Sequence, residues 1–217
     1  MKKSLIVVGA VATLAVAGFA GFKAVNYYSE PEVNLVDLTV GQPAPAFTAA
    51  DANARPVRLA DYRGKTVVLE WNNPGCPFVK KHYGSGNMQK TQAAAKAAGA
   101  VWLSINSSGP GQQGHMNGAE AKAFLASAKA QPSAYLLDPQ GLVGKGYAAK
   151  TTPHMYIIDA KGRLVYAGGI DDKPTANPAD IEGARNHVLA ALSEMKSGKS
   201  VSVATSRPYG CNVKYAG

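Results

Sequence analysis

The chain has 217 residues, of which 46% are hydrophobic and 17% are charged, and its formal net charge is +9. A chain of this length and apolar content buries one core, so we expect one globular domain with appendages. Apart from Lys2-Lys3, Lys80-Lys81 is the only adjacent basic pair, and no basic stripe interleaved with aromatic residues occurs. This scatter argues against nucleic-acid binding and is typical of a mildly basic surface.

The first predicted element is an apolar, charge-free run over residues 4–22, preceded by Lys2 and Lys3. The run is typical of an export signal, in which Gly18-Phe19-Ala20 offers small residues for cleavage. Its roughly 19 residues also suffice to span a bilayer as an uncleaved signal-anchor helix. The basic flank predicts that the domain lies outside the cytoplasmic membrane. We therefore expect a periplasmic protein, either soluble after cleavage or anchored to the membrane by residues 4–22.

The remaining chain divides into three predicted parts: a polar linker over residues 23–39, a domain over 40–198 and a tail over 199–217. Strand patterns occur in PVRLADYRG, TVVLEWNN, AVWLSINSS, SAYLLD and PHMYIIDAKGRLVYAGG. Helix patterns occur in CPFVKKHYGSGNMQKTQAAAKAAG, with a kink at 84–86, in AEAKAFLASAKA and in DIEGARNHVLAALSEMKSGK. This order predicts an α/β sandwich in which helices flank a central mixed sheet.

Cys76 is the first candidate for chemistry, because it lies where the strand TVVLEWNN ends and a helix begins. Unpaired N–H groups and the positive end of the helix dipole stabilise a thiolate there, which lowers the thiol pKa. Lys80, one turn later, adds a positive charge. An inert buried cysteine is the alternative, but Pro77 suits a first helical turn and favours the helix start.

Three ordered segments, VVLEWNNPGCPFVKKHY, AAKTTPHMYIIDAKGRLVYAGGIDD and SRPYGCNVKY, resemble one known family. They are similar to the redoxin or peroxiredoxin-like branch of the thioredoxin superfamily, also called alkyl hydroperoxide reductase/thiol-specific antioxidant. The resemblance covers residues 40–217 and implies a thioredoxin-like sandwich.

The resemblance implies roles for particular residues. Cys76 takes the place of the first cysteine of the thioredoxin CxxC motif, and Val79 stands where the second would be. Thr152-Pro153 corresponds to the Thr-Pro whose cis proline faces the active cysteine and leaves the backbone open to a substrate strand. Glu70 falls where thioredoxins carry a buried acid that relays a proton, and burial suits a carboxyl to that task.

The chain also departs from the family pattern. True peroxiredoxins place Thr or Ser three residues before the peroxidatic cysteine and Pro seven before it, where this chain has Asn73 and Leu69. The arginine of the peroxiredoxins is replaced by Pro153. Without a CxxC motif, a dithiol cycle needs Cys211, the only other sulfur able to pair, and its role is either resolving or that of a structural staple.

Two further residues, Asn73 and His154, are predicted to form a substrate lip near the thiol. The pairs His115-Met116 and His154-Met155 suggest binding of a soft metal such as copper as a minor alternative. Because only one cysteine lies at the site, we expect no metal. The segment Gly109–Gly114 matches GxGxxG after a strand, but His115 to Asn117 intervene before the helix. We therefore expect a loop and no dinucleotide or other cofactor.

These observations leave three classes of function. The leading one is an exported thiol-dependent oxidoreductase that reduces disulfides or peroxides through Cys76, with a thiol/disulfide electron donor or a substrate protein as partner. The alternative is a non-catalytic thioredoxin-fold subunit or binding module of a membrane complex, in which the disulfide is structural. The third is a copper-handling protein.

Overall fold

The computed structural model describes residues 38–217. The predicted apolar helix over residues 4–22, and all but the end of the predicted linker, lie outside the described residues. Within residues 38–217, none of the helices has the length and apolar character needed to cross a membrane.

The described chain forms nine strands and five α-helices. The strands are β1 (Thr48–Asp51), β2 (Pro56–Arg58), β3 (Val67–Trp71), β4 (Val101–Asn106), β5 (Ala134–Leu137), β6 (Thr151–Thr152), β7 (His154–Ile158), β8 (Leu164–Gly168) and β9 (Cys211–Asn212). The helices are α1 (Pro77–Gly84), α2 (Asn87–Ala97), α3 (Gly118–Ser127), α4 (Leu142–Gly146) and α5 (His187–Lys196).

Seven of these strands form one sheet with the order β2-β1-β5-β4-β3-β7-β8. Strand β3 is parallel to β4, and β4 is parallel to β5, whereas β3 and β7 are antiparallel. The predicted mixed α/β sandwich is therefore confirmed for the described residues. The remaining strands, β6 and β9, pair antiparallel in a separate two-stranded sheet.

The core lies on both faces of β3, whose five residues are all buried. Successive side chains of a strand point to opposite faces. Leu69 and Trp71 accordingly pack with Tyr147 and Tyr156 on one face. Val68 packs with the residues of α1, α2 and α5 on the other face. A strand covered on both sides reads as a near-continuous apolar run, which is why TVVLEWNN was recognisable.

The predicted kink in the first helix is a complete break, since α1 ends at Gly84 and Gly86 adopts a left-handed φ of 76° before α2 begins. The predicted start of the last helix near Asp180 is wrong. Residues 178–181 form a 3-10 turn, and α5 begins only after Asn186, whose side chain accepts a hydrogen bond from the Leu189 amide. Strand β1, with the sequence TAAD, is not among the strands that the sequence patterns predict.

Residues 199–217 pack along the domain. Val213 donates its amide to the Lys150 carbonyl at 3.0 Å, and Gly109 donates its amide to the Lys214 carbonyl at 2.7 Å. The Tyr215 hydroxyl donates to the Ala149 carbonyl. The tail is thus joined to loops at the same end of the sheet as the start of α1.

Candidate thiol site

The sheet topology brings three segments to one place. Trp71, the last residue of β3, lies opposite His154, the first residue of β7. The residues that follow β3 and those that precede β7 therefore meet at the same edge of the sheet. Cys76 follows β3 after a short loop, Thr152 and Pro153 precede β7, and Thr152 pairs with Cys211 of β9.

Cys76 is the N-cap residue of α1, and Pro77 occupies the first helical turn as predicted. Its amide donates to the Asn73 carbonyl at 3.0 Å, and its carbonyl accepts the Lys80 amide at 2.9 Å. The side chain is only 1% exposed. Regular structure on both sides thus fixes the sulfur at the N-terminus of the helix.

The two sulfurs are in contact. Both cysteines are free thiols, and their Sγ atoms lie 2.8 Å apart. The Thr152–Pro153 peptide bond is cis, as predicted, and the Thr152 carbonyl oxygen lies 3.1 Å from Cys76 Sγ. The structure therefore brings together Cys76, Cys211, Thr152 and Pro153.

The environment makes the two thiols unequal. Burial acts to raise the pKa of Cys76, but hydrogen bonds to its thiolate from the Cys211 thiol, from the Val79 and Cys211 amides and from Thr152 outweigh burial and lower it. Burial, followed by the bond and charge of Cys76, raises the pKa of Cys211 to about 11. Within residues 38–217 the buried Thr152 hydroxyl has no partner in hydrogen-bond geometry, and Thr152 is the smallest of these contributions to the lowered pKa of Cys76. Cys76 is therefore the more acidic of the two thiols, and Cys211 the less acidic one.

Lys80 does not contribute to this arrangement. Its side chain is exposed, and its charge is not among the causes of the lowered Cys76 pKa. Hydrogen bonds stabilise the thiolate in place of this charge, because solvent screens the charge of an exposed ammonium group.

Asn73 is buried beneath the Cys76 loop. Its side-chain amide donates to the backbone and side-chain oxygens of Gln113, and its side-chain oxygen accepts the Gly75 amide. A Cβ at Gly114 would lie 2.1 Å from the Asn73 side chain, so glycine permits this close packing. The GxGxxG segment is thus a loop, as predicted, and it supports the Cys76 loop.

Glu70 is fully buried in the central strand, as predicted, and its carboxylate is surrounded by donors. Its oxygens accept from Ser104 at 2.7 Å, Tyr83 at 2.8 Å and Trp102 at 2.9 Å, and also from Asn72 at 2.9 Å. Among the described residues no hydrogen bond links it to either cysteine. Its contacts tie α1 to β3 and β4 below the thiol.

His154 lies on the opposite face of the sheet from Cys76. Its ring packs 4.5 Å from that of Tyr156, and its Nδ1 atom lies 3.0 Å from the Tyr156 hydroxyl. Burial, together with the charge of Lys150, lowers its pKa to about 3. Alternation along β7 turns this residue away from the thiol, which adjacency to Pro153 in the sequence could not reveal.

A further polar cluster, which the sequence analysis did not identify, anchors the tail beside the site. The cluster consists of His82 of α1, Asp171 and Tyr209, which are buried together. Tyr209 belongs to the tail and lies two residues before Cys211. The separation of these three residues along the chain leaves no spacing motif, and the only signal was the position of Tyr209 in SRPYGCNVKY.

Metal-ligating side chains are not clustered in the part of the chain that the structure describes. Within residues 38–217, no three side chains among His, Cys, Asp and Glu are grouped so as to hold a metal ion. His115 is exposed on its loop, and His154 is separated from the sulfurs by the sheet.

The chain is similar in sequence to known proteins. The chain is 22% identical over 166 residues to the thiol-disulfide oxidoreductase ResA of Bacillus cereus. The aligned region covers 76% of this chain and 88% of ResA. It is 49% identical over 43 residues to a Mycobacterium tuberculosis protein with a peroxiredoxin name, although the match spans only 18% of this chain and 27% of that relative.

Two solved structures are also similar. An uncharacterized conserved protein from Geobacillus kaustophilus is 25% identical, with a TM-score of 0.68 over 87% of this chain and 98% of that one. A Chlorobium tepidum protein titled as the thiol:disulfide interchange protein DsbE is 25% identical, with a TM-score of 0.50 over 60% of this chain and 85% of that one. The fold is thus thioredoxin-like. The family described as AhpC/TSA matches residues 40–167, more than half of the chain. The chain belongs to the AhpC/TSA family, a redoxin branch of the thioredoxin superfamily.

Proposed function

We propose that the chain is a thiol-dependent oxidoreductase in which Cys76 attacks an oxidised substrate and Cys211 resolves the product. The observation that carries this proposal is the 2.8 Å contact between two free sulfurs of opposite pKa shift. A thiolate is the attacking form of cysteine, and a nearby thiol is positioned to displace whatever Cys76 has bound.

Each step follows from these positions. The Cys76 thiolate attacks one sulfur of a substrate disulfide, and the other sulfur leaves as a thiolate that takes a proton. Cys211 then loses its proton and attacks the Cys76 sulfur, which releases the second substrate thiol. The substrate gains two electrons, and the protein is left with a Cys76–Cys211 disulfide. A thiol donor returns both cysteines to the reduced state.

The neighbouring residues have supporting roles in this proposal. Thr152 pairs with Cys211 and so keeps the two sulfurs together, and Pro153 holds the backbone beside the Cys76 sulfur. Asn73 shapes the loop that presents Cys76, and Glu70 ties that loop's helix to the sheet. Glu70 accepts from five other side chains in this structure. That environment favours a structural role over proton transfer.

The test uses the full chain, reduced and then exposed to a small disulfide, with thiols trapped by alkylation at successive times. We expect Cys211→Ser to accumulate a mixed disulfide on Cys76, and the parent protein to accumulate the intramolecular bond. Cys76→Ser should form no adduct at that site. Loss of stability in Cys211→Ser, with no adduct on Cys76, would instead assign the pair to a structural staple.

We place this activity outside the cytoplasmic membrane as part of the same proposal. Support comes from Lys2 and Lys3 before the charge-free run of residues 4–22. Protease added to intact spheroplasts should digest the domain, and a fully protected domain would contradict the placement.

A further inference from the structure

The tail occupies the backbone edge beside the thiol. Strand β9 pairs antiparallel with β6, with Thr152 opposite Cys211 and Thr151 opposite Asn212. An extended polypeptide that reached Cys76 through strand pairing would need this same edge, because backbone hydrogen bonds provide the affinity in that mode of recognition. In this structure, β9 of the chain's own tail occupies that edge.

The pairing continues on both sides of Cys211. Beyond it, the Val213 amide donates to the Lys150 carbonyl at 3.0 Å. Before it, Gly210 adopts a φ of +137° and crosses directly over Thr152, where a Cβ would lie 2.1 Å from the Thr152 carbonyl oxygen. Glycine at position 210 therefore allows the tail to approach the edge more closely than any other residue would.

A buried chain of hydrogen bonds holds the tail at Tyr209, the residue before Gly210. The Asn87 side-chain amide donates to His82 Nδ1 at 2.8 Å, which puts the proton of the neutral ring on Nε2. Nε2 lies 3.1 Å from the Tyr209 hydroxyl and donates to it. That hydroxyl donates in turn to Asp171 Oδ1. The other oxygen of Asp171 is buried without a partner among the described residues.

The Tyr209 ring is held as firmly as its hydroxyl. Phe78 of α1 packs against it edge to face, with ring centroids 5.9 Å apart. The buried Lys81 ammonium lies 5.7 Å from the Tyr209 ring centroid and donates to the Lys173 carbonyl. Residues on two consecutive turns of α1, the helix that Cys76 caps, thus contact Tyr209.

We propose that residues 209–216 are a resident strand that determines which substrates reach Cys76, and that His82, Tyr209 and Asp171 form the latch that holds it. While the latch is closed, Cys76 reacts with low-molecular-weight disulfides, for which only the partly exposed Cys211 side chain has to turn aside. A polypeptide disulfide has to displace β9 from Thr151 and Thr152. This inference rests on the proposed function and adds its substrate class.

The chemistry is the same for both classes of substrate. One sulfur of the disulfide bonds to Cys76 and the other leaves and is protonated. Cys211 then displaces the bound sulfur, and the reduced protein becomes oxidised by two electrons while the substrate is released as two thiols. The two substrate classes differ only in whether strand β9 must first leave the backbone edge of Thr151 and Thr152.

The experiment compares two probes on the pre-reduced full chain: bis(2-hydroxyethyl) disulfide as the small one and insulin as the polypeptide. The rate of Cys76–Cys211 disulfide formation is followed after acid quench and alkylation. Tyr209→Phe removes the hydroxyl but keeps the ring, and Val213→Pro removes the amide that pairs with Lys150. Tyr62→Phe is the matched control, since Tyr62 is half-buried far from the tail.

We expect the ratio of the insulin rate to the small-disulfide rate to rise about tenfold in Tyr209→Phe, because one hydrogen bond to a carboxylate is lost. Val213→Pro should raise the ratio in the same direction, and Tyr62→Phe should leave it unchanged. Equal acceleration of both probes, or an unchanged ratio in two folded variants, would overturn the resident-strand proposal. If the parent chain reacted with neither probe, or if Cys76→Ser reacted as fast, the proposed function itself would fail.

Discussion

The segments that carry the two cysteines are built in different ways. Cys76 lies between a buried central strand and a helix, and its amide and carbonyl both take part in regular hydrogen bonding. Cys211 lies in a two-residue strand at the edge of a tail. Side-chain contacts such as those of Tyr209 and Tyr215, together with a few amides, hold that tail in place.

This difference separates a fixed nucleophile from a removable partner. Moving Cys76 would disturb the core, since the residues around it pack with α1, α2 and α5. Moving Cys211 requires only the loss of the tail's local bonds. Local opening of this kind costs less free energy than global unfolding. A resolving cysteine has to leave and return during each cycle, so its position on the weaker segment suits that role.

The strongest test of this contrast removes each sulfur in turn. Cys76→Ser should lower the rate of reaction with a small disulfide by a factor of about 1000 or more, because the hydroxyl stays protonated and is a poor nucleophile. Cys211→Ser should retain the first step and stop at a mixed disulfide. Mass spectrometry of the trapped species distinguishes the two. If the variants lost activity equally, without an adduct, the roles assigned to the segments would be wrong.

The second test weakens the support of the fixed segment. Glu70→Leu leaves donors on Tyr83, Trp102 and Ser104 unpaired in the core, and we expect the free energy of unfolding to fall by about 3 to 5 kcal/mol. Urea unfolding measures this, with the exposed Glu182→Gln as control. Glu70→Gln tests the acid itself. A folded Glu70→Gln with an unchanged rate supports the structural role, and a large selective loss of rate supports proton relay.

The third test addresses the latch through pH. Burial, opposed by the charge of Asp171 and reinforced by that of Lys81, lowers the pKa of His82 to about 4. The neutral ring therefore contributes stability that is complete above the ordinary pKa of 6.5 and is lost as the pH falls through 4. The loss amounts to about 3 kcal/mol.

Denaturant unfolding at pH 7 and pH 4 checks this expectation. His82→Gln should reduce the difference between the two pH values, and His115→Gln, on an exposed loop, should not. Because His154 also has a lowered pKa, only the difference between variant and parent reports on His82. An identical pH dependence in parent and His82→Gln would contradict the assigned role.

The smallest expected effect concerns the bond between the segments. Cys211→Ala removes the thiol that donates to the Cys76 thiolate, so the pKa of Cys76 should rise. The midpoint of the pH profile for alkylation of Cys76 measures this shift. Lys80→Ala is the matched control and should leave the midpoint in place. If only Lys80→Ala shifted the midpoint, the Lys80 charge, and not the Cys211 thiol, would be what stabilises the Cys76 thiolate.

Much of the fold could be predicted because its signals are local. The strand TVVLEWNN is a continuous apolar run, and the order of strands and helices sufficed for a mixed sandwich. The start of α5 was misplaced because Asp180 lies in a 3-10 turn that has a capping residue of its own, Asn177. Strand β1 was missed since its residues, TAAD, have little strand propensity and take their conformation from β2 and β5.

The parts of the site that depend on short sequence motifs could be predicted. Cys76 at a helix start and the cis bond before Pro153 followed from motifs. The face on which His154 lies depends on the strand register, and the effect of the Lys80 charge on the thiol depends on its exposure to solvent. The cluster of His82, Asp171 and Tyr209 is assembled from three distant segments, and no local pattern announces it.

The central claim is that Cys76 and Cys211 form one reversible disulfide within the folded chain. Its most direct test is a redox titration of the full chain in dithiothreitol buffers, in which the bond is quantified by alkylation and mass spectrometry while circular dichroism follows the fold. The account predicts a single Cys76–Cys211 bond that opens and closes over the titration without unfolding. Two thiols that stay free under oxidising buffer, or a bond that opens only when the protein unfolds, would contradict it.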